Sequence, residues 1–326
     1  MLTSINFDIP ILFIVFNRLD TTKHVFEVVK KVAPKRLYIA SDGHRCNHEN
    51  EKEKVEAVRE YILKSINWDC DVNTLFREEN LGCGKAVSGA ITWFFENEEM
   101  GIILEDDCLP SDSFFSYCKE LLTYYKDNTH IFHIAGYNPL TKTKIPSSYC
   151  FSRIPQIWGW ASWRRAWSTY SFDIKDLCNF IKKEKINKIF TKRADRYHWI
   201  EIFKSIEKHE VDTWDYQWVY TVLNNDGICI DPALNLITNI GFGHNATHTH
   251  KSSFNFGNQQ RFEIDVLLHP CKVKIKNNYI NKINEIDCGI NTLFYYIIMV
   301  KKMIKKNMFL YNFFKKCREK LKRLIR

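Results

Sequence analysis

Pro10-Ile11-Leu12-Phe13-Ile14-Val15-Phe16-Asn17-Arg18 decides the fold class, because an unbroken apolar run ends there abruptly in an amide and a cation. A continuous run, unlike an alternating one, is what a parallel sheet buries on both faces. Asp20-Thr21-Thr22 offers helix-capping chemistry ahead of a helix over His24 to Lys31. Arg36-Leu37-Tyr38-Ile39-Ala40 reads as the second strand and ends at Ser41-Asp42-Gly43, which completes a βαβ unit. A polar loop over 44–53, a charged amphipathic helix to about Ser65 and a strand over Asp71 to Phe76 follow. Asn80-Leu81-Gly82-Cys83-Gly84-Lys85 then turns into a helix from about Ala86 to Phe95. Gly101-Ile102-Ile103-Leu104 is another short buried strand, stopped by Glu105-Asp106-Asp107. Strands alternating with helices at this spacing predict an open α/β sheet whose ligands bind beyond the carboxyl ends of the strands. Arg18, Asp42 and the acidic triplet all stand at such ends.

Beyond residue 110 the texture changes. A helix from about Phe114 to Tyr125 and a strand over His130 to Ala135 precede a tryptophan-rich segment and a basic helical region over 174–208. Trp160, Trp163 and Trp167 recur at helical spacing, which predicts one packed helix face; Trp214 and Trp218 do the same. Trp158, beside Gly159, is left as a candidate for acceptor contact. No internal repeat or low-complexity tract interrupts the chain.

The bulk numbers bound the function. The chain has 326 residues, 45% hydrophobic and 26% charged, which is ordinary globular usage and excludes a disordered or collagen-like protein. Its net charge of +9 is concentrated: residues 300–326 hold eleven Lys/Arg against Glu319, so the remainder sums to −1. Eleven scattered cysteines without a C-x-x-C pattern predict reduced thiols. The apolar stretches Ile9 to Phe16 and Leu293 to Val300 are too short for a signal peptide or a membrane span of about 20 residues.

Three consecutive carboxylates at a buried strand end repel one another and call for a cation or a solvated turn. Hard oxygen donors suit Mg²⁺ or Mn²⁺, which accept one or two protein carboxylates and leave positions for substrate phosphates. Asn17-Arg18-Leu19-Asp20 stands where G-x-G-x-x-G would follow the first strand, and Gly82-Cys83-Gly84-Lys85 lacks P-loop spacing. Dinucleotide redox chemistry and Walker-type ATP hydrolysis are therefore unsupported. Lys85 follows a glycine turn at a helix start, where either an anionic partner or plain solvation accounts for it. His244, His248 and His250 have no cysteine or acid at zinc-ligand spacing and read first as a polar loop.

The ordered set Pro10 to Arg18, Asp42, Glu105-Asp106-Asp107, Asp112-Ser113-Phe114-Phe115 and Trp214-Asp215 resembles the GT-A catalytic domain of N-acetylglucosaminyltransferase I and related bacterial nucleotide-sugar transferases. Asn80-x-Gly82 through Ala86 and Gly89 is similar to the matching segment of family 2 glycosyltransferases. The resemblance covers about residues 9 to 250. It implies a GT-A fold with a mostly parallel central sheet flanked by helices. Arg18 and Asp42 would hold the base and ribose of a UDP-type donor, Asp106 would face the ribose or donor sugar, and Asp107 would ligate the metal. Glu105 would lie near the transferred sugar, Trp214 would contact the donor, and Asp215 would take the acceptor proton. Gly241-Phe242-Gly243-His244-Asn245-Ala246-Thr247 stands where the family closes a loop over the diphosphate. His244, Asn245 or His248 would touch phosphate or metal there.

The resulting expectation is a metal-dependent, inverting glycosyltransferase moving a hexosyl or N-acetylhexosaminyl group from a UDP-sugar to a surface glycan or lipid-linked acceptor. A metal-dependent phosphohydrolase or nucleotidyltransferase, and a non-catalytic glycan-binding protein, are the rivals. Residues 1–110 would bind the nucleotide-sugar, 111–265 the acceptor, and 266–326 would form an extension ending in a basic amphipathic helix. Val300, Met303, Ile304, Leu310, Tyr311, Phe314, Cys317, Leu321 and Ile325 mark its apolar face. A solvated helix or a nucleic-acid patch would use the same charges, but only an anionic membrane surface uses both faces. No nucleic-acid partner is expected. The expected location is the cytoplasmic face of the inner membrane.

Overall fold

The computed structural model describes residues 7–182, 185–242, 259–290 and 292–306. Its first half follows the βα alternation: β1 (Ile11–Val15), α1 (Leu19–Val32), β2 (Arg36–Ser41), α2 (Glu51–Ser65), β3 (Asp71–Phe76), α3 (Gly82–Asn97) and β4 (Met100–Glu105). The second half is more broken. It contains β5 (Cys108–Pro110), α4 (Ser113–Tyr124), β6 (Ile131–Ala135), β7 (Tyr149–Ser152), β8 (Trp160–Trp163), α5 (Arg164–Trp167), α6 (Leu177–Lys182), α7 (Lys185–Ile189) and α8 (Arg193–Glu207). It closes with α9 (Asp215–Asn224), β9 (Ile228–Pro232), β10 (Ile237–Asn239), α10 (Asn277–Asp287) and α11 (Thr292–Lys306).

Eight strands form one sheet in the order β3-β2-β1-β4-β8-β6-β9-β7. The first four run parallel, and β8 and β7 run against the rest, so the sheet is an α/β sheet of mostly parallel strands. Both faces of the central strands are covered because β1 and β4 carry apolar residues on either side. On β1, Ile11, Phe13 and Val15 enter one core with α1, α2 and α4, whereas Leu12 enters the other with α3, α5 and α9. Strand β4 repeats the pattern with Ile102 and Leu104 on one side and Ile103 on the other. At roughly 1.5 to 3 kcal/mol per fully buried large apolar side chain, these two cores are what fix the strand ends in place.

Three local expectations change. Trp160 and Trp163 sit on strand β8, not on a helix, because residues 160–163 pair antiparallel with Ile103 to Met100 of β4. Strand alternation sends Trp160 to one core and Trp163 to the other, and Trp167 follows on α5; all three are buried, as a packing role requires. Helix α3 begins at Gly82, four residues before the expected Ala86, since the Asp212 carboxylate accepts from the amides of Cys83 (3.0 Å) and Gly84 (2.9 Å) and satisfies its first turn. Asp20, Thr21 and Thr22 do not cap α1. The helix starts at Leu19, and both threonine hydroxyls donate back to the Arg18 carbonyl.

Helix α11 covers only the start of the expected terminal helix, and residues 307–326 lie outside the described residues. Lys302 anchors it by an ion pair to Glu201 of α8 at 3.2 Å and by lying over the Tyr197 ring. Leu293, Tyr296, Ile297, Val300 and Met303 remain exposed along one face. Among the described residues no helix is long and apolar enough to cross a membrane.

Candidate active site

The site is built where β1 and β4 end side by side, with Ile14 in register with Glu105. Arg18, the residue before α1, turns its guanidinium across this edge and donates to Asp106 Oδ1 at 2.6 Å and Asp107 Oδ2 at 2.8 Å. Asp106 also accepts from the Phe16 amide at 3.2 Å, which stitches the two strand ends together. Two carboxylates thus share one cation, with Glu105 close enough to feel the charges of all three. Burial, then the Asp107 and Asp106 charges, push the Glu105 carboxyl up to about 8. Burial raises Asp106 to about 6 against the pull of Arg18. Burial disfavours the Arg18 charge, but the two aspartates more than restore it and hold its pKa above the usual value.

A second layer closes over Asp107. Strand β10 pairs antiparallel with β5, placing Asn239 opposite Cys108, and the Ile240 amide donates to the Asp107 carbonyl at 2.8 Å. Gly241 then passes so close that a Cβ there would overlap the Asp107 carboxylate and come within 2.7 Å of Arg18 Nη1. Only glycine permits that approach. From the other side comes Asp215, the first residue of α9, whose Oδ1 accepts from the Tyr216 amide at 2.9 Å and from the Thr213 hydroxyl. Gly82 and Gly84 let Asp212 and the Thr213 carbonyl reach the start of α3, so the 212–215 segment is clamped to the strand-end side of the sheet.

One cavity of about 670 Å³ joins these groups; Arg18, Glu105, Asp107, Trp158, Trp214 and Asp215 all line it. Trp158 packs on Tyr137 at 4.4 Å and on Phe242 at 5.5 Å between ring centres, leaving part of its surface open. Trp214 is 2% exposed and stacks on Trp160, so only an edge of it can reach a ligand. Asp106 lies behind the wall rather than on it, with 5% of its side chain exposed. Asp42 stands at the same sheet edge but outside the lining, where it accepts from the Leu81 amide at 3.0 Å; burial raises its pKa. Lys85 is exposed on the first turn of α3, also outside the lining, and the carboxylate bound by that turn is Asp212. His244, Asn245 and His248 lie outside the described residues.

Sequence reasoning missed several wall residues. Cys83, whose thiol burial and the charges of Glu105, Asp212, Asp215 and Asp42 push up to about 12, sits amid the acids. Asp212, three residues before Asp215, had no visible partner until the chain folded. Tyr137, Gln156, Asp287 and Cys288 form the remainder of the polar wall. The last turn of helix α10 and the residue after it supply the last two, and nothing in the periodicity of residues 277–288 signals a site.

The donor set fits a hard divalent cation. Glu105 and Asp107 offer carboxylate oxygens in a pocket whose surplus negative charge already forces Glu105 toward its neutral form. Among the described residues no group of three His, Cys, Asp or Glu side chains could hold a metal by itself.

No protein-family model matches the sequence, and no curated protein is similar to it. Some solved structures are distantly similar over part of their length. A mannosyltransferase from Pyrobaculum calidifontis, in complex with GDP-Man and Mn²⁺, is similar at a TM-score of 0.38 and 10% identity over 68% of this chain and 74% of that one. GalNAc-T7 with UDP, GalNAc and Mn²⁺ is similar at a TM-score of 0.40 and 14% identity over 70% of this chain and 43% of that one. HddC from Yersinia pseudotuberculosis is similar at a TM-score of 0.30 and 10% identity, over 48% and 77% respectively.

Proposed function

We propose that this protein is a metal-dependent, inverting glycosyltransferase of GT-A type that uses a UDP-sugar. The observation that supports the reading is the gathering of Arg18, Glu105, Asp107 and Asp215 on one cavity at the carboxyl ends of β1 and β4. Asp107 would hold Mn²⁺ or Mg²⁺, which when bound stabilises the negative charge growing on the diphosphate leaving group. Arg18 fixes the Asp107 carboxylate and adds a positive charge beside the phosphates. Asp42 and Lys85, outside the cavity lining, would meet the donor only at its nucleoside end, and Glu105 would face the transferred sugar. Asp215 takes the proton of the attacking acceptor hydroxyl as that oxygen bonds to the anomeric carbon, assistance worth roughly 10² to 10⁴ in rate. A single displacement of this kind inverts the anomeric configuration. A donor screen following UDP, GDP and CMP release, with Mn²⁺ present or chelated, tests the reading; metal-dependent UDP release supports it, and splitting of phosphate bonds instead would favour a phosphohydrolase.

The acceptor we propose is a hydroxyl of a surface or lipid-linked glycan, with the enzyme lying on the cytoplasmic face of a bacterial membrane. The apolar face of α11 from Leu293 to Met303, and the eleven basic residues of 300–326, support this. At about 1 kcal/mol per basic residue near an anionic leaflet, four or five engaged residues suffice for reversible attachment. Sedimentation with anionic liposomes should fall sharply when the chain is cut near residue 295, and equal sedimentation of both forms would refute attachment.

A further inference from the structure

The cavity continues well past the acidic strand ends. Its opposite wall carries Tyr137, Gln156 and, from α10, Ile283, Asp287 and Cys288. Helix α10 is not a loose appendage. Ile280 and Ile283 are buried, and fully buried Asn284 accepts from Trp199 Nε1 at 3.2 Å and donates to Asp195 at 2.9 Å. Those bonds tie α10 to α8 and hold the last turn, with Asp287, against the cavity. Gly289, at φ +59°, ends the helix immediately after.

The Tyr137 hydroxyl is buried, on a residue 3% exposed, with the Gln259 side chain and the Asp287 carboxylate as polar neighbours and no well-formed hydrogen bond to either. A buried hydroxyl so weakly bonded favours a ligand group that can bond it. Gln156 is 8% exposed beside Asp287. Asp287 is bonded to Gln156 and pairs with no lysine or arginine among the described residues, and burial raises its carboxyl to about 7. Such a wall can donate and accept but has no positive charge for an anion. Trp158 provides an apolar ring face next to Tyr137.

We infer that Tyr137, Gln156 and Asp287, with Trp158 as platform, form a subsite for the hydroxyls of a neutral pyranoside, the acceptor side of the cavity. This rests on the glycosyltransferase reading. It assigns to α10, and so to residues beyond 265, a direct part in choosing the acceptor. Paired hydroxyls of a sugar suit groups that both donate and accept, and the apolar face of a pyranose suits an indole ring.

Saturation-transfer NMR on the full chain tests this with the methyl β-glycosides of glucose, galactose and N-acetylglucosamine, each measured alone and again with UDP and Mn²⁺. At least one should receive saturation from the unmodified protein without nucleotide. Tyr137→Phe and Asp287→Ala should each weaken that glycoside about five- to tenfold, the loss of one hydrogen bond, while calorimetric UDP affinity stays within about twofold. Tyr137→Phe removes a single oxygen and keeps the test alive if Asp287→Ala folds poorly. No signal from any glycoside, undiminished signal in both variants, or displacement of the glycoside by choline would overturn the subsite. Failure of UDP to bind would instead count against the parent reading, because the nucleotide-free glycoside measurement is independent of it.

Discussion

The two ends of the cavity solve the same electrostatic problem in opposite ways. At the strand ends, Asp106 and Asp107 share the Arg18 guanidinium at 2.6 and 2.8 Å. At the α10 end, Asp287 and the fully buried Asp231 near it have no cationic partner among the described residues, and burial raises both to about 7. On the proposed reading the first end takes the metal and the diphosphate, and the second takes neutral hydroxyls.

The largest expected effect sharpens the contrast at its catalytic edge. Asp215→Asn should lower glycosyl transfer by roughly 10² to 10⁴ while metal-dependent UDP binding stays within about twofold, read by single-turnover assay and calorimetry. Next, Arg18→Met should cost about 3 to 5 kcal/mol of unfolding free energy at pH 7.5, because Asp106 is left buried without its partner. Urea denaturation at pH 5 should show a smaller loss, since Asp106, already raised to about 6, is then mostly neutral.

The α10 end predicts the reverse sign. The Asp231 carboxyl binds its proton more tightly folded, at about 7, than unfolded, at 3.8. Stability therefore falls as pH rises from about 4 to 7, by at most roughly 4 kcal/mol. Asp231→Asn lacks this loss, so melting curves should show the variant gaining on the natural chain as pH rises through that window. A gap that stays constant or narrows would remove the distinction between the two ends. The smallest effect belongs to Lys85→Ala, on an exposed first turn already capped by Asp212; its stability should change by less than about 0.5 kcal/mol.

The legible part of the molecule was the part whose strands are both apolar throughout and consecutive in the chain. Strands β1, β2 and β4 announced themselves as unbroken runs, and the polar residues at their ends followed. In the β8-β6-β9-β7 half only β6 did, because the spatial order there departs from chain order. Trp160 to Trp167 shows the cause: a spacing compatible with a helix was overridden by pairing with β4. Arg18 and Asp107 were placed together by a rule about strand ends, and they meet at 2.8 Å. Asp42 obeys the same rule but turns to Leu81. Asp212 and Asp287 act through contacts made over 128 residues or from a helix outside the βα alternation, and no local pattern encodes those.

The central claim is that the acidic strand-end pocket binds a nucleoside diphosphate through a divalent ion on Asp107. Titration calorimetry of UDP into the full chain, with Mn²⁺, with chelator, and with Asp107→Asn, tests it directly. The account predicts binding with Mn²⁺ that chelation removes and that Asp107→Asn weakens by about 10² or more. UDP affinity that is equal in all three conditions, or undetectable in each, would contradict it.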